Sequence, residues 1–172
     1  MKKGNISIFI PHLGCPQQCS FCNQKTITGN QKQPTCNDVI CAVETALRKK
    51  GYEYEIAFFG GSFTAIDREY MLSLLKAAYT YVADGRVKGI RISTRPDCID
   101  NEILDILKEY GVTSIELGAQ SMDDEVLKAN LRGHTAQDVE NASRLIKSYG
   151  FELGLQMMTG LYKSTYETDI FT

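Results

Sequence analysis

Short apolar runs alternate with longer segments of helical spacing along this 172-residue chain. The first run, Ile6-Ser7-Ile8-Phe9-Ile10, is stopped by Pro11, and a polar stretch follows through about Pro34. Cys36 to Lys50 then reads as a helix with Cys36, Ile40, Val43 and Leu47 on one stripe. Its basic end, Arg48-Lys49-Lys50, with Gly51 after it, suits a helix C-terminus. Next come a strand over Glu55–Phe59 running into Gly60-Gly61, and a helix from about Asp67 to Val82. A strand over Gly89–Thr94, closed by Pro96, precedes a helix that starts near Asp100 and ends at Gly111. The chain continues with a strand over Val112–Leu117 and a short helix near Asp123 to Ala129. A helix opened by the capping-box-like Thr135-x-x-Asp138 and a strand over Phe151–Met158 follow, and the remaining sequence is polar. Five strands separated by helices predict an α/β fold of right-handed βαβ units around a parallel sheet.

Alternation within the strands selects between the two common forms of that sheet. Arg91, Ser93 and Arg95 share one face of the third strand, opposite Ile90 and Ile92. Ser114, Glu116 and Gly118 oppose Ile115, Leu117 and Ala119 in the fourth, with Gln120 just beyond. Glu152, Gly154 and Gln156 oppose Leu153, Leu155 and Met157 in the fifth. A doubly wound sheet is covered by helices on both faces and needs both apolar. One apolar and one polar face instead predict a partial (β/α) barrel of parallel strands, with helices outside and a hydrated lumen inside. Sites in such folds gather at the carboxyl ends of the strands, where the polar stretch after the first strand and Gly60-Gly61 both fall. Glu116 on the lumen face requires a cation, with Arg91 or Arg95 as the available partner.

Length and composition bound the chemistry. The chain suits a single domain spanning 1–172, and its formal net charge of −2 gives no global attraction for nucleic acid. No secretory signal or membrane span is apparent, so a cytoplasmic protein with no membrane partner is expected. In a reducing compartment, clustered cysteines indicate metal binding or catalysis rather than disulfides. Three of the six are clustered in a loop over about 12–34, as Cys15-x-x-x-Cys19-x-x-Cys22. Three thiolates on one loop can ligate three irons of a four-iron cluster and leave the fourth iron for another ligand. The same residues could hold zinc, with His12 or Cys36 as fourth ligand, or could remain unligated. Cys36 sits on an apolar stripe and reads as core, while Cys41, Cys98, His12 and His134 have no assigned role.

The spacing, with Phe21 before the last cysteine, resembles the signature of radical S-adenosylmethionine (radical SAM) enzymes. Further segments match in order. Gly60-Gly61-Ser62-Phe63 resembles the glycine motif after the second strand of that family. Ser93-Thr94-Arg95-Pro96-Asp97, Glu116-Leu117-Gly118-Ala119-Gln120-Ser121 and Arg132-Gly133-His134-Thr135 resemble the branch containing the catalytic subunit of elongator. Met157-Met158-Thr159-Gly160-Leu161 resembles the fifth-strand motif of the same branch. The likeness implies a [4Fe-4S] cluster on Cys15, Cys19 and Cys22, with Phe21 beside the cofactor. It implies S-adenosylmethionine on the open iron, cleaved reductively to a 5′-deoxyadenosyl radical that abstracts hydrogen from a substrate. Gly60, Gly61 and Ser62 would lie against its methionine end, Gln120 and Arg132 would hold ribose and carboxylate, and Ser93 and Gln156 would add polar contacts. Without the family, Gly60-Gly61 would serve equally as a strand-to-helix turn, and Gln120, Arg132 and Gln156 as ordinary polar groups.

The resemblance also implies an external electron donor of flavodoxin or ferredoxin type. The substrate stays open between a tRNA base, by analogy to elongator, and a porphyrin or other small metabolite. Two departures stand out. Relatives carry Leu-Pro-Gly where this chain has Leu161-Tyr162-Lys163, and Ser93 stands where relatives often carry Glu. The family barrel has six βα units, so a chain of five strands reads as a radical SAM core lacking its last unit. A catalytically inactive metal-binding module, iron–sulfur or zinc, is the alternative that such a shortened core leaves open.

Overall fold

The computed structural model describes residues 2–11, 15, 18–22 and 32–170. His12 and most of the loop expected over about 12–34 lie outside them. Five strands, β1 (Lys2–Ile10), β2 (Tyr52–Gly60), β3 (Ile90–Thr94), β4 (Val112–Gln120) and β5 (Glu152–Met157), form one sheet in the order β1-β2-β3-β4-β5. Every pairing is parallel. A doubly wound sheet reverses direction at a switch point. This order never reverses, so all crossovers pass over one face, as in a barrel wall. The sheet does not close, because β1 and β5 each pair with one neighbour.

The helices are α1 (Cys36–Leu47), α2 (Arg68–Ala83), α3 (Asn101–Glu109), α4 (Asp124–Ala129), α5 (Ala136–Ser148) and α6 (Tyr166–Ile170). Their starts are chemically marked. Thr35, Asp67, Asp100, Asp123 and Thr135 each accept a hydrogen bond from a first-turn amide of α1 to α5 in turn. Thr35 and Thr135 form full capping boxes with Asp38 and Asp138. Each such cap stabilises its helix by about 1 kcal/mol.

One core fills the space between the outer face of the sheet and the helices. Ile6, Ile8, Ile10, Ile56, Phe58, Ile90, Ile92, Ile115 and Leu117 meet Val39, Val43, Met71, Leu74, Leu104, Leu107 and Ile146 there. Burying a side chain of this size contributes about 1.5–3 kcal/mol. The other face is the polar lumen expected from the alternation.

Several boundaries and burials differ from the sequence reading. β1 begins at Lys2 rather than Ile6, because its polar first half pairs with Tyr52–Glu55 along the full length of β2. The buried stripe of α1 runs through Val39 and Val43, which turns Ile40 to solvent, 39% exposed. The helix ends at Leu47, so the basic residues lie beyond its last turn. Cys36 is half-buried rather than core, and its thiol donates to the Ser73 carbonyl at 3.5 Å. Leu155, expected on a covered face, is 49% exposed because β5 is an edge strand. The tail, read only as polar, contains α6, whose Tyr166 and Ile170 are exposed.

Candidate cofactor site

The sequence reading scattered its candidates over six segments, and the fold brings them together. Cys15, Cys19, Phe21, Cys22, Gly60, Gly61, Ser62, Ser93, Gln120, Arg132 and Gln156 all line one cavity of about 230 Å³. It lies at the carboxyl ends of β2 to β5, under the cysteine loop. Thr94, Arg95, Gly118 and Met158 complete the wall, and none of these had been singled out as a site residue.

Gly60 makes the turn that opens the cavity. Its φ of +114° is a region that favours glycine, and a Cβ there would fall 2.5 Å from the Phe9 ring and 2.7 Å from the Ile10 carbonyl oxygen. Gly61 donates its N–H to that carbonyl at 2.8 Å, fastening the turn to β1. Ser62 is buried and its hydroxyl is engaged by the protein. It meets Thr94 Oγ1 at 3.1 Å and accepts the Arg95 N–H at 3.1 Å. Thr64 Oγ1 extends this chain to Thr94 at 2.6 Å and donates to the Cys98 carbonyl at 2.7 Å. The hydroxyls therefore splice the turns after β2 and β3 together.

Opposite them, β4 ends in an irregularity between Leu117 and Gln120, with Gln120 at φ +72°. A left-handed non-glycine residue costs about 1–3 kcal/mol and persists only where its surroundings impose it. Here the Gln120 carbonyl accepts the Met158 N–H at 2.9 Å, while its buried Oε1 has no partner. A Cβ at Gly118 would crowd Gln120 Nε2 and Arg132 Nη2, at 3.1 and 3.3 Å.

Arg132 enters from the loop between α4 and α5 and is only 7% exposed. Its Nη1 donates to Cys19 Sγ at 3.3 Å and its Nη2 to the Gly118 carbonyl, and its Nε is buried without a partner. Arg95 is equally buried. Its Nε and Nη2 grip both oxygens of Asp97 at 2.8 Å, and Nη2 also donates to the Arg132 carbonyl at 2.6 Å. Its Nη1 has no partner. Of the two expected partners for Glu116, the structure uses Arg91, at 3.0 Å, and commits Arg95 to Asp97.

Asn130 was missed in the sequence. Its Oδ1 accepts from Ser20 Oγ at 2.9 Å, and its Nδ2 donates to the carbonyls of Val126 and Tyr162. The Ser20 N–H also donates to the Asn130 carbonyl. The end of α4 therefore clamps the cysteine loop at Ser20 and, through Arg132, at Cys19. An Asn closing a short helix carries no sequence signal for such a role.

His134, buried two residues beyond Arg132, places Nε2 3.1 Å from the Ala119 carbonyl. Burial, with the nearby Arg132 charge, lowers its pKa to about 4. The neutral ring then donates from Nε2, and Nδ1 is left unpartnered. Burial pushes the Cys98 thiol up. Cys36, Cys41 and Cys98 are free thiols that do not line the cavity. Among the described residues no three His, Cys, Asp or Glu groups converge tightly enough for a single metal ion. Thiolates that bind separate corners of a cluster stand further apart than the ligands of one ion.

A second cavity of about 360 Å³ continues into the lumen. It shares Gly60, Ser93 and Gln156 with the first and adds Asn5, Ser7, Phe59, Arg91 and Glu116. Below it, Arg91 pairs with Glu55 at 2.9 Å and lies 3.9 Å from Glu152. Gly154 of β5 leaves room for Glu116, since a Cβ there would come within 3.1 Å of its Cγ.

An open parallel half-barrel with a cysteine-bearing loop over its carboxyl rim is the architecture of one enzyme class. The profile of the radical SAM superfamily matches residues 9–170, and the chain belongs to that superfamily. It is 27% identical to the tRNA uridine(34) acetyltransferase of Dehalococcoides mccartyi over 96% of this chain and 43% of that protein. It is 32% identical to Elongator complex protein 3 of Schizosaccharomyces pombe over 73% of this chain and 27% of that protein. Among solved structures, the archaeal Methanocaldococcus infernus Elp3 superposes with a TM-score of 0.71 at 22% identity, over 98% of this chain and 41% of that one. The chain thus spans under half the length of these relatives. The cofactors of the superfamily are a [4Fe-4S] cluster and S-adenosylmethionine, and solved structures of this fold hold one or the other. Among the described residues no helix is long and apolar enough to cross a membrane.

Proposed function

We propose that Cys15, Cys19 and Cys22 hold a [4Fe-4S] cluster and that the adjoining cavity binds S-adenosylmethionine. The observation that carries this reading is the set of buried polar atoms without partners in one cavity wall: Arg132 Nε, Arg95 Nη1 and Gln120 Oε1. Such groups are costly unless a ligand meets them. Two guanidinium donors fit a carboxylate, and an amide oxygen fits a hydroxyl or ammonium donor. S-Adenosylmethionine carries all three groups. When bound, the pair of cofactors supplies the electron and the 5′-deoxyadenosyl radical for hydrogen abstraction.

The protein contributes placement and exclusion. Gly60 and Gly61 let a ligand approach backbone groups that a side chain would cover. The Arg95–Asp97 pair props the Arg132 carbonyl, and the Asn130 clamp fixes the loop that carries the thiolates. The second cavity, lined by Asn5, Ser7, Phe59, Ser93, Glu116 and Gln156, is where a substrate C–H would sit beside the adenosyl group. By analogy to the relatives, a tRNA base is the first substrate class to test and a small metabolite the second. An external flavodoxin- or ferredoxin-type protein would deliver the electron. Among the described residues no two cysteines are joined in a disulfide, which suits a reducing compartment such as the cytoplasm.

The test is anaerobic reconstitution followed by metal analysis and a chemical search for 5′-deoxyadenosine. About four irons per chain and reductive formation of 5′-deoxyadenosine are expected. A preparation that binds one zinc and no iron overturns the proposal. Iron retention without cleavage would instead identify a metal-binding module.

A further inference from the structure

We propose that Arg132, through its hydrogen bond to Cys19, sets how readily the cluster accepts an electron. This rests on the reading that Cys15, Cys19 and Cys22 carry a [4Fe-4S] cluster.

Cys19 is the most buried of the three, 6% exposed, and Arg132 Nη1 lies 3.3 Å from its sulfur. An arginine stays protonated in any protein environment, so this donor is a permanent positive charge. Among the described residues no carboxylate lies within ion-pair distance of it. The charge is therefore not spent on a neighbouring acid, as that of Arg91 is.

Its position is fixed from several sides. The Arg132 N–H donates to the Leu127 carbonyl at 3.0 Å, Nη2 donates to Gly118, and the carbonyl accepts from Arg95 at 2.6 Å. Leu131 at φ +56° and Gly133 at φ +76° bend the chain on either side. The guanidinium is held against the sulfur rather than drifting over the surface.

Reduction places one electron on the cluster and its thiolates, with no bond made or broken. A cation hydrogen-bonded to a ligating sulfur in a site of low dielectric stabilises that added charge more than it stabilises the oxidised form. The reduction potential rises as a result. Because a guanidinium has five N–H donors, the unpartnered Nε remains available to a ligand carboxylate. One side chain thus links the electron acceptor to the molecule that receives the electron.

The experiment is a redox titration of the reconstituted cluster, followed by electron paramagnetic resonance without S-adenosylmethionine, in wild type, Arg132→Lys and Arg132→Met. Iron content is measured in each. Arg132→Met should shift the midpoint to more negative potential by at least tenfold in the reduction equilibrium, about 59 mV for one electron. Arg132→Lys keeps the charge without the fixed fork and should fall between. Equal midpoints in chains of equal iron content overturn the proposal. Should Arg132→Met take up no iron, Arg132→Lys decides alone: a midpoint below wild type supports the proposal and an equal one overturns it. A wild type that takes up no iron removes the cluster reading itself, and this inference with it.

Discussion

Arg91 and Arg132 both face the lumen, one at its floor and the other at its rim, and their surroundings differ in kind. Arg91 is met by Glu55 and Glu116 at 2.9 and 3.0 Å, with Glu152 beyond. Glu55 is satisfied in turn by Thr113 and Ser114. Arg132 is more deeply buried, yet it has a thiol, a backbone carbonyl and one unpartnered nitrogen. A structural ion pair is closed within the protein, whereas an incomplete one near a cavity is ready to be completed from outside. The floor therefore holds the wall of the barrel together, whereas the rim leaves polar atoms unpartnered beside a cavity.

The sharpest way to break this comparison is to remove the sulfur that Arg132 touches. Cys19→Ala should abolish iron uptake and any formation of 5′-deoxyadenosine, while the same measurements on Cys41→Ala, at an exposed thiol that does not line the cavity, should match wild type. A smaller effect comes from the neighbour of the rim, His134. Its folded pKa of about 4 lies below the usual value of 6.5, so the unfolded chain takes up its proton first as the pH falls. Stability is full above about pH 6.5 and is lost between there and about pH 4, by on the order of 2–3 kcal/mol. Urea unfolding at pH 7 and pH 4.5 checks this, and His134→Gln should flatten that part of the profile.

The floor should respond in stability rather than in ligand binding. Arg91→Met leaves the Glu55 carboxylate half-enclosed without its cation, and should cost about 2 kcal/mol in urea unfolding. Arg132→Met removes a charge that no carboxylate neutralises, so its cost should be about 1 kcal/mol or less. If both variants unfold equally easily, the distinction between floor and rim fails. The smallest effect is expected at the start of α5, just beyond the rim. Thr135→Ala removes the cap of a 13-residue helix and should cost about 1 kcal/mol without altering ligand affinity.

The floor was the more legible half in the sequence. Alternation in β3 and β4 put Arg91, Arg95 and Glu116 on the lumen face, and the cost of an unpaired carboxylate then demanded one of the two arginines as its partner. The cysteine spacing and the ordered motifs marked the residues that line the rim. What the sequence did not disclose is how the rim is held. Asn130 reaches Ser20 across 110 residues, and Arg95 grips Asp97 rather than Glu116. Contacts between distant loops leave no local periodicity, and Arg95 has the same strand phase as Arg91. The rotation of the α1 stripe and the exposure of Leu155 were hidden for a related reason, since both depend on what the neighbouring elements cover.

The most direct test of the rim as a ligand site is equilibrium binding of S-adenosylmethionine to the reconstituted protein, compared between wild type, Arg132→Met and Arg91→Met. The account predicts binding by wild type, a loss of at least tenfold in Arg132→Met, and affinity within about twofold of wild type in Arg91→Met, tenfold being about 1.4 kcal/mol. Equal losses in the two arginine variants, or no binding by a wild type carrying its irons, would contradict it.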